Sequence, residues 1–296
     1  MDKLEKPTNL PQSQLQAEEW QKANYSWWQN NPMRYDWKEK VSPKEFTKEF
    51  YLEIDKRFFL NAREYSNWKK IPFDNFIDFE SLREKDVLEI GVGSGSHAQF
   101  LVKYSKSFIG IDITDYAVES ARKRMEIFGL KAEIIKMDAE KMKFKDNSFD
   151  FIWSWGVIHH SADTKQILKE IQRVLRPGGE AVIMIYHRGW WNYYIIGALR
   201  GIISGDLIRT KSLHKSIQLH TDGAIARYYS VSDWKLLVKN LFRIDEIWIC
   251  GPKSDIIPLP GGLIKKAVIR CVPNFLSRFL TSGLKMGSFL VSKLKK

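Results

Sequence analysis

The strongest structural signal in this 296-residue chain is the stretch Val87-Leu88-Glu89-Ile90-Gly91-Val92-Gly93-Ser94-Gly95-Ser96. It begins as a short apolar run that predicts a buried strand, continues through three alternate glycines and leads into a helical pattern near Ser96. A strand followed by a glycine loop and a helix N-terminus forms a cradle for a nucleotide. Glycine is needed there because a Cβ would keep the backbone away from the ligand. A dinucleotide-binding loop has its third glycine at the position of Ser96, so this loop, Gly-x-Gly-x-Gly-Ser, follows a different pattern.

Further strand-like segments follow the loop in order and alternate with helical patterns, which predicts a mostly parallel α/β sheet with helices on both faces. Asp112 ends the second of these strands, 21 residues after Gly91. An acid at that distance is placed to accept hydrogen bonds from ribose hydroxyls. A helical pattern before the fifth strand ends in Arg-Pro-Gly-Gly at 176–179. The predicted strands after the first span residues 108–112, 134–139, 148–154 and 180–186.

The local pattern Glu-x-Gly-x-Gly-x-Gly and the four motifs that follow it resemble class I S-adenosylmethionine-dependent methyltransferases, in particular their small-molecule branch. The resemblance covers about residues 80–187 closely and the rest loosely. It implies a Rossmann-like, seven-stranded, mostly parallel sheet. The segment 287–292 is similar to the family's last strand, which implies an antiparallel strand at the edge of the sheet.

The resemblance also implies S-adenosylmethionine as cofactor and a set of residues that bind it. Asp138 and its neighbour Ala139 correspond to the family's adenine contacts. Trp153, in the fourth strand, is expected to face the methyl group because ligands lie beyond the carboxyl ends of such strands. Packing of the tryptophans beneath the loop is the equal alternative. The predicted cofactor-binding residues are Glu89, Gly91, Gly93, Gly95, Asp112, Asp138, Ala139, Trp153 and Tyr25.

His159 and His160 are the candidate catalytic residues, since an imidazole that titrates near neutrality is able to act as a general base. Histidine pairs at this point in the family are mostly structural, and we favour that interpretation. Asp163 is expected to cap the next helix. The two cysteines, Cys250 and Cys271, have no metal-ligand spacing, so no metal is expected.

Two regions lie outside the alternating pattern. Residues 1–80 are polar and helix-prone with clustered aromatics, which predicts a helical N-terminal cap that either closes over the cofactor as a lid or packs as a passive helical layer. Residues 81–296 form the predicted methyltransferase domain, interrupted by insertions at about 188–230 and 252–286. The cap aromatics include Trp37, and those expected near the cofactor are Tyr25, Trp28 and Tyr35.

The net charge of +12 is concentrated at the end of the chain, because residues 252–296 hold nine basic residues and one acid, a net charge of +8. Within them, the segment 263–280 has basic residues on one side and apolar residues roughly on the other, with a kink expected at Pro273. Such a segment either lies on an anionic bilayer or packs as an ordinary helix with a solvated basic face.

The sequence predicts a cytoplasmic protein. If segment 263–280 lies on a bilayer, we expect a peripheral location at the inner face of the membrane. Residues 1–8 have no apolar core of a secretion signal, and no apolar stretch reaches about 18 residues.

We expect methyl transfer to a small-molecule or lipid- or glycan-linked acceptor, with oxygen favoured over carbon or nitrogen. The alternatives are a non-catalytic membrane-surface or partner-binding relative, and a nucleic-acid methyltransferase that uses the basic tail. The intact acids at 89, 112 and 138 speak against the first alternative, and the lack of an Asn-Pro-Pro-type motif speaks against part of the second. The acceptor and the oligomeric state stay open.

Overall fold

A computed structural model describes residues 9–36, 40–259 and 262–296. Within these ranges the chain forms one mixed sheet with the strand order β3-β2-β1-β4-β5-β8-β7, and a short strand, β6, pairs with β5 outside this path. The seven predicted strands are therefore present, and β6 is an addition of two residues. Residues 1–8, in which the sequence predicts no secretion signal, and the aromatic Trp37 lie outside the described residues. The strands are β1 Asp86–Ile90, β2 Ser107–Asp112, β3 Glu133–Lys136, β4 Phe149–Trp155, β5 Leu175–His187, β6 Tyr228–Tyr229, β7 Arg243–Cys250 and β8 Phe289–Lys295.

The first five strands are parallel, so their carboxyl ends meet at one edge of the sheet. β1 lies at the centre, and all its residues from Val87 to Ile90 are buried, as expected for a strand covered on both faces. The chain order reverses beside β1, because β2 and β3 lie on one side of it and β4 on the other. Ligands of open α/β sheets bind at such a switch point, beyond the carboxyl ends of the strands.

The last strand was predicted at the edge of the sheet, and this placement is wrong. β8 is antiparallel, as expected, but it lies between β5 and β7 and pairs with both. β7 forms the edge instead. The apolar side chains Leu290, Val291 and Leu294 are fully buried, which explains the inner position, since an edge strand leaves one flank open to water.

Helices pack on both faces of the sheet and at its carboxyl edge. The helix after β2 begins after Thr114, whose side chain accepts a hydrogen bond from the backbone N–H of Ala117, and Asp163 caps α5 in the same way, as predicted. The helices are α1 Gln14–Asn30, α2 Lys48–Tyr65, α3 Ala98–Tyr104, α4 Asp115–Ile127, α5 Thr164–Val174, α6 Gly197–Ile203, α7 Asp206–Thr210, α8 Leu213–Leu219, α9 Val231–Val238, α10 Leu263–Cys271 and α11 Asn274–Arg278, with π-helices at Trp190–Ile196 and Phe279–Gly283.

The N-terminal helices and both regions predicted as insertions lie at the carboxyl edge. α2 buries Phe50, Ile54 and Phe58, and the Tyr51 hydroxyl donates to the carbonyl of Ser120 in α4 at 2.7 Å. Pro273 separates α10 from α11, so the predicted kink is a break between two helices. Within the described residues, no helix is both long and apolar enough to cross a membrane.

Candidate active site

A cavity of about 290 Å³ opens at the carboxyl ends of β1, β2, β4 and β5. Its two ends differ in chemistry. One end is formed by the glycine loop and the residues that follow β2 and β3. The other end is formed mainly by aromatic side chains from α2, β4, β5, β8 and the loop before α2.

The glycine loop has the backbone that its sequence predicts. Gly91, Gly93 and Gly95 have φ values of +77°, +53° and +76°, which only glycine adopts readily. A Cβ on Gly91 would lie 2.2 Å from a methyl group of Val157, whereas a Cβ on Gly93 would meet nothing within 4 Å. Gly91 is therefore required for packing, and Gly93 leaves open space over the cavity. Gly95 does not line the cavity; its missing Cβ leaves room for the side chains of Arg124 and Met125.

Asp112 lines the cavity at the end of β2, and the local backbone holds its carboxylate in place. It accepts hydrogen bonds from the backbone N–H of Gly93 at 3.2 Å and from the backbone N–H and hydroxyl of Thr114, both at 2.9 Å. Burial raises the pKa of Asp112, and these hydrogen bonds oppose that shift. The carboxylate thus connects the glycine loop to the start of α4.

Asp138 and Ala139 also line the cavity, in the segment that follows β3. The Asp138 carboxylate accepts hydrogen bonds from the side-chain amide of Gln21 at 2.8 Å and from the backbone N–H of Glu140 at 2.9 Å. Gln21 in turn accepts one from the backbone N–H of Ala162 at 3.2 Å. A side chain of α1 therefore bridges two loops at the cofactor end.

Glu89 lies behind the glycine loop, outside the cavity lining. Its carboxylate is 3.7 Å from Nδ1 of His97, which does line the cavity. Burial raises the pKa of Glu89 well above its usual value, and the charge of Asp112 adds to this. Burial lowers the pKa of His97 to about 3. Nε2 of His97 is buried and has no hydrogen-bond partner among the described residues.

No sequence motif identifies Asp55 of α2, yet this residue connects the N-terminal helices to the glycine loop. Its carboxylate accepts hydrogen bonds from the Ser96 hydroxyl at 2.7 Å, from the Gln99 amide at 2.9 Å and from the Arg124 guanidinium at 2.9 Å. Arg124 is fully buried and packs where a Cβ of Gly95 would lie. The loop conformation thus depends on a residue that lies about 40 positions before it.

α1 contributes a stripe to the cavity, and Tyr25 is not on it. Gln21, Asn24 and Trp28 line the cavity at helical spacing. The Tyr25 hydroxyl instead donates to the carboxylate of Asp115 at 2.8 Å, outside the lining. Trp28 and Tyr35 lie at the cavity wall, where the sequence predicts them, whereas the geometry contradicts the predicted position of Tyr25.

Trp153 does not line the cavity either. Its side chain is fully buried, and its ring stacks on that of Trp155 with centroids 5.2 Å apart. The two rings share one face because side chains two positions apart in a strand point the same way. β4 runs to Trp155, one residue beyond its predicted end, so Trp155 takes the lining position expected of Trp153.

The two histidines occupy different environments. His159 is fully buried, both ring nitrogens lack hydrogen-bond partners among the described residues, and burial lowers its pKa well below the usual value. His160 lines the cavity, and its Nδ1 is 2.6 Å from the carbonyl oxygen of Ile225. Its ring contacts that of Trp28 with centroids 4.9 Å apart. Only His160 of the pair therefore reaches the space where chemistry would occur.

The aromatic end of the cavity contains one carboxylate among its described lining residues. Asp222 accepts a hydrogen bond from the Tyr186 hydroxyl at 2.9 Å. Burial raises the pKa of Tyr186 well above its usual value, and the charge of Asp222 adds to the shift. Asp222 comes from the first insertion, so no local motif identified it. The rings at this end belong to Tyr35, Phe58, Tyr65, Trp155, Tyr186 and Phe289.

No group of acids, histidines or cysteines within the described residues is arranged to hold a metal ion. The cofactor end fits a nucleoside-type ligand, because it offers open backbone at Gly93 and a carboxylate at Asp112 that local hydrogen bonds hold in place. A glycine loop at the switch point of such a sheet, followed by acids at the end of β2 and after β3, is the arrangement expected of a class I S-adenosylmethionine-dependent methyltransferase domain.

Comparison with known proteins gives the same class. Residues 88–183 match the family model described as "Methyltransferase domain". The chain is similar to the sterol 24-C-methyltransferase of Aspergillus fumigatus, with 40% identity over 96 residues, which are 31% of this chain and 26% of that protein. It is also similar to the phthiotriol/phenolphthiotriol dimycocerosates methyltransferase of Mycobacterium tuberculosis, with 34% identity over 97 residues, 32% of this chain and 35% of that protein.

The chain spans only about a quarter to a third of the length of these relatives. The fold extends further. A S-adenosylmethionine-dependent methyltransferase of Methanosarcina mazei superposes with a TM-score of 0.53 at 20% identity, over 77% of this chain and 99% of that chain. This superposition confirms the predicted fold, and the family match over residues 88–183 confirms the predicted methyltransferase class, for which S-adenosylmethionine is the expected cofactor.

Proposed function

We propose that the protein transfers a methyl group from S-adenosylmethionine to a small-molecule or lipid-linked acceptor. The observation that carries this proposal is a single cavity that joins the glycine loop to the aromatic chamber. When bound, the cofactor supplies an electrophilic methyl group on a sulfonium. The protein holds the methyl group and the acceptor in line, and this alignment of two reactants accounts for much of the rate of such a reaction.

In this proposal the residues at the cofactor end hold and orient the donor. Asp112 receives the ribose hydroxyls, and Asp138 with Ala139 borders the base. Gly93 permits close approach of the backbone, and α1 covers this end through the contact of Gln21 with Asp138. The segment 1–80 then acts as the cap and lid of the domain at 81–296, and its helices exclude water from the reacting groups.

The aromatic end supports an apolar or flat acceptor, because large rings bury apolar surface and leave few polar contacts. The names of the relatives add support, since one is a sterol 24-C-methyltransferase and another a phthiotriol/phenolphthiotriol dimycocerosates methyltransferase. Among the acceptor atoms, we favour oxygen. The Asp222 carboxylate is the group at this end best suited to accept the proton of a hydroxyl, and Tyr186 holds it in place.

We further propose that segment 263–280 lies on an anionic membrane at the cytoplasmic side. Leu263, Ile264 and Phe275 expose 74–83% of their surface, although they are apolar. Lys266 and Arg270 are exposed on the same helix. A helix with this composition is suited to the interface of an anionic bilayer, to which each basic residue contributes about 1 kcal/mol.

Two measurements test the proposed function. Calorimetric titration with S-adenosylmethionine and with S-adenosylhomocysteine should give micromolar or tighter dissociation constants. A 100-fold excess over the dissociation constant should add about 2.7 kcal/mol to the free energy of unfolding. The protein is then incubated with methyl-labelled donor and a total lipid extract, with a soluble metabolite extract in parallel. Label in neither extract would exclude the proposed acceptor class, and absence of both heat and a melting shift would exclude methyl transfer.

A further inference from the structure

The two insertions meet at a second cavity, a groove of about 450 Å³ between α6 and α10. Two hydrogen bonds tie the insertions together beside it. The indole N–H of Trp190 donates to the carbonyl of Leu284 at 3.0 Å, and that of Trp191 donates to the carbonyl of Asp255 at 3.1 Å. The groove is thus held by contacts between the two insertions.

The walls of the groove are apolar and open to solvent. Leu199, Ile203 and Leu259 line it, and each leaves between 39% and 69% of its surface exposed. Single exposed apolar residues are ordinary on a protein surface, but these share one concave site. The surrounding surface continues the pattern, because Ile202 and Leu263 beside the groove are also exposed. Burial of this surface by a ligand would be favourable.

The charged residues that line the groove all have the same sign. Arg200, Lys265 and Lys266 lie among its walls, and none of its described lining residues is acidic. The Lys265 ammonium also donates to the carbonyl of Ile257 at 3.0 Å, which fixes it at the end of the groove. An apolar trough with a basic border matches one ligand chemistry, namely an alkyl chain that ends in an anionic headgroup.

We propose that this groove binds one anionic phospholipid, drawn from the surface of a bilayer. The acyl chain lies against Leu199, Ile203 and Leu259, and the phosphate faces Arg200 and Lys266. The proposal rests on the proposed membrane association of the second insertion and extends it to the first. It also makes the contact a defined site with a stoichiometry of one lipid per chain.

The first insertion, which forms one wall of the groove, also contacts the acceptor end of the active-site cavity through aromatic rings. Tyr193, on the π-helix that leads into α6, has its ring centroid 4.9 Å from that of Tyr228, which lies 5.2 Å from that of Tyr186. Tyr186 lines the acceptor end of the active site. A lipid in the groove would therefore contact the same insertion that contributes rings beside the acceptor end of the cavity.

The test uses short-chain lipids below their micelle concentration, so that adsorption to a surface plays no part. The full-length protein is titrated with dihexanoyl phosphatidylglycerol, with dihexanoyl phosphatidylcholine and with glycerol 3-phosphate, and native mass spectrometry counts the adducts. We expect one phosphatidylglycerol per chain, with an affinity at least about tenfold above that for phosphatidylcholine, since several basic residues face the headgroup. Glycerol 3-phosphate should not bind detectably, because it has no acyl chain.

Matched variants locate the site. Ile203→Glu should weaken binding of phosphatidylglycerol at least tenfold, whereas Ile208→Glu, on the same insertion but outside the groove lining, should change it less than twofold. Lys266→Gln should weaken it about fivefold, and Arg270→Gln, on the same helix but outside the lining, should not. Lys266 is on the surface, so this pair decides the question even if Ile203→Glu fails to fold.

Several outcomes would overturn the proposal. These are no phosphatidylglycerol adduct on the wild-type protein, equal affinity for both lipids, equal losses from the paired variants, or equal binding of glycerol 3-phosphate, which would indicate a free-phosphate site. S-adenosylhomocysteine is titrated into each variant as a separate readout. Lipid binding without cofactor binding would refute the methyltransferase proposal and leave the groove intact, and the reverse result would refute the groove alone.

Discussion

The two ends of the active-site cavity are built in different ways. The cofactor end consists mainly of backbone and short polar side chains from residues 90–139, held by local hydrogen bonds such as those of Asp112 and by contacts of Asp55 and Gln21 from the N-terminal helices. The acceptor end consists of large rings brought together from distant parts of the chain, including Tyr65 of α2 and Phe289 of β8. The first end has little freedom to change, because its geometry depends on φ angles and on a few fixed atoms. The second is able to vary with the acceptor.

Gly91→Ala should give the largest effect, because this position has both a positive φ and no space for a Cβ. Strain and overpacking against Val157 should lower the free energy of unfolding by about 2–4 kcal/mol. Displacement of the loop should weaken cofactor binding by roughly 100-fold. Urea unfolding and calorimetric titration measure the two effects. The control is Gly178→Ala, with a φ of +80° but open space around it, which should lose only about 1–2 kcal/mol and keep its cofactor affinity.

Asp112→Ala should have the second-largest effect. Its comparison with Asp222→Ala distinguishes the two ends of the cavity by their effect on cofactor affinity. Loss of charge-assisted hydrogen bonds, about 1.5–3 kcal/mol each, should weaken cofactor binding about 10- to 100-fold while the domain stays folded. Asp222→Ala removes the carboxylate at the acceptor end and should change cofactor affinity less than twofold. Calorimetric titration with S-adenosylhomocysteine compares the variants. Equal affinity of a folded Asp112→Ala variant and the wild-type protein would mean that this residue does not hold the ribose.

His97 at the cofactor wall should make stability depend on pH. Burial lowers its pKa to about 3 in the folded protein, with a further contribution from Arg124, against about 6.5 when unfolded. Its stabilising contribution is therefore complete above pH 6.5 and is lost as the pH falls below that value, because the unfolded chain then binds a proton that the folded protein does not. Between pH 8 and pH 5 the wild-type protein should lose about 2 kcal/mol more than His97→Gln. Parallel stability curves from urea unfolding at several pH values would contradict this.

His160→Asn should have the smallest effect, consistent with an acceptor end that tolerates change. Its Nδ1 contacts the Ile225 carbonyl, so we expect a packing role and a loss of methyl transfer below tenfold. The same expectation applies to His159→Asn, provided that the variant remains folded. A general base supplies about 10²–10⁴-fold. A loss in that range, with normal cofactor affinity and stability, would identify the altered histidine as the catalytic base.

The parts of the molecule that follow local rules were predictable from the sequence. β2 spans Ser107–Asp112, against the predicted 108–112, and the cap at Asp163 follows from residue type. The glycine loop and the acids after β2 and β3 were predictable because their spacing is set by one strand–loop–helix unit. Glu89 and Gly95 belong to that motif, yet neither lines the cavity. Glu89 lies behind the loop, and Gly95, within it, leaves room for the side chains of Arg124 and Met125.

The errors arise where side chains depend on a single residue of register or on distant partners. Tyr25 lies one position from the stripe of α1 that lines the cavity, and Trp153 lies two positions before the end of β4. Asp55 and Asp222 were missed because no motif marks a lone acid whose partners lie 40 or more positions away, or in an insertion. The proton acceptor and the cofactor contacts stay predictions until ligand binding is measured.

The position of β8 has a consequence for synthesis of the chain. β5 and β7 leave the ribosome before the strand that joins them, so β7 has no partner until residues 289–295 emerge. During that interval two neighbouring strand edges are open to pairing with another chain. We therefore expect nascent chains that stall before β8 to be held by chaperones, and completed chains to be released from them.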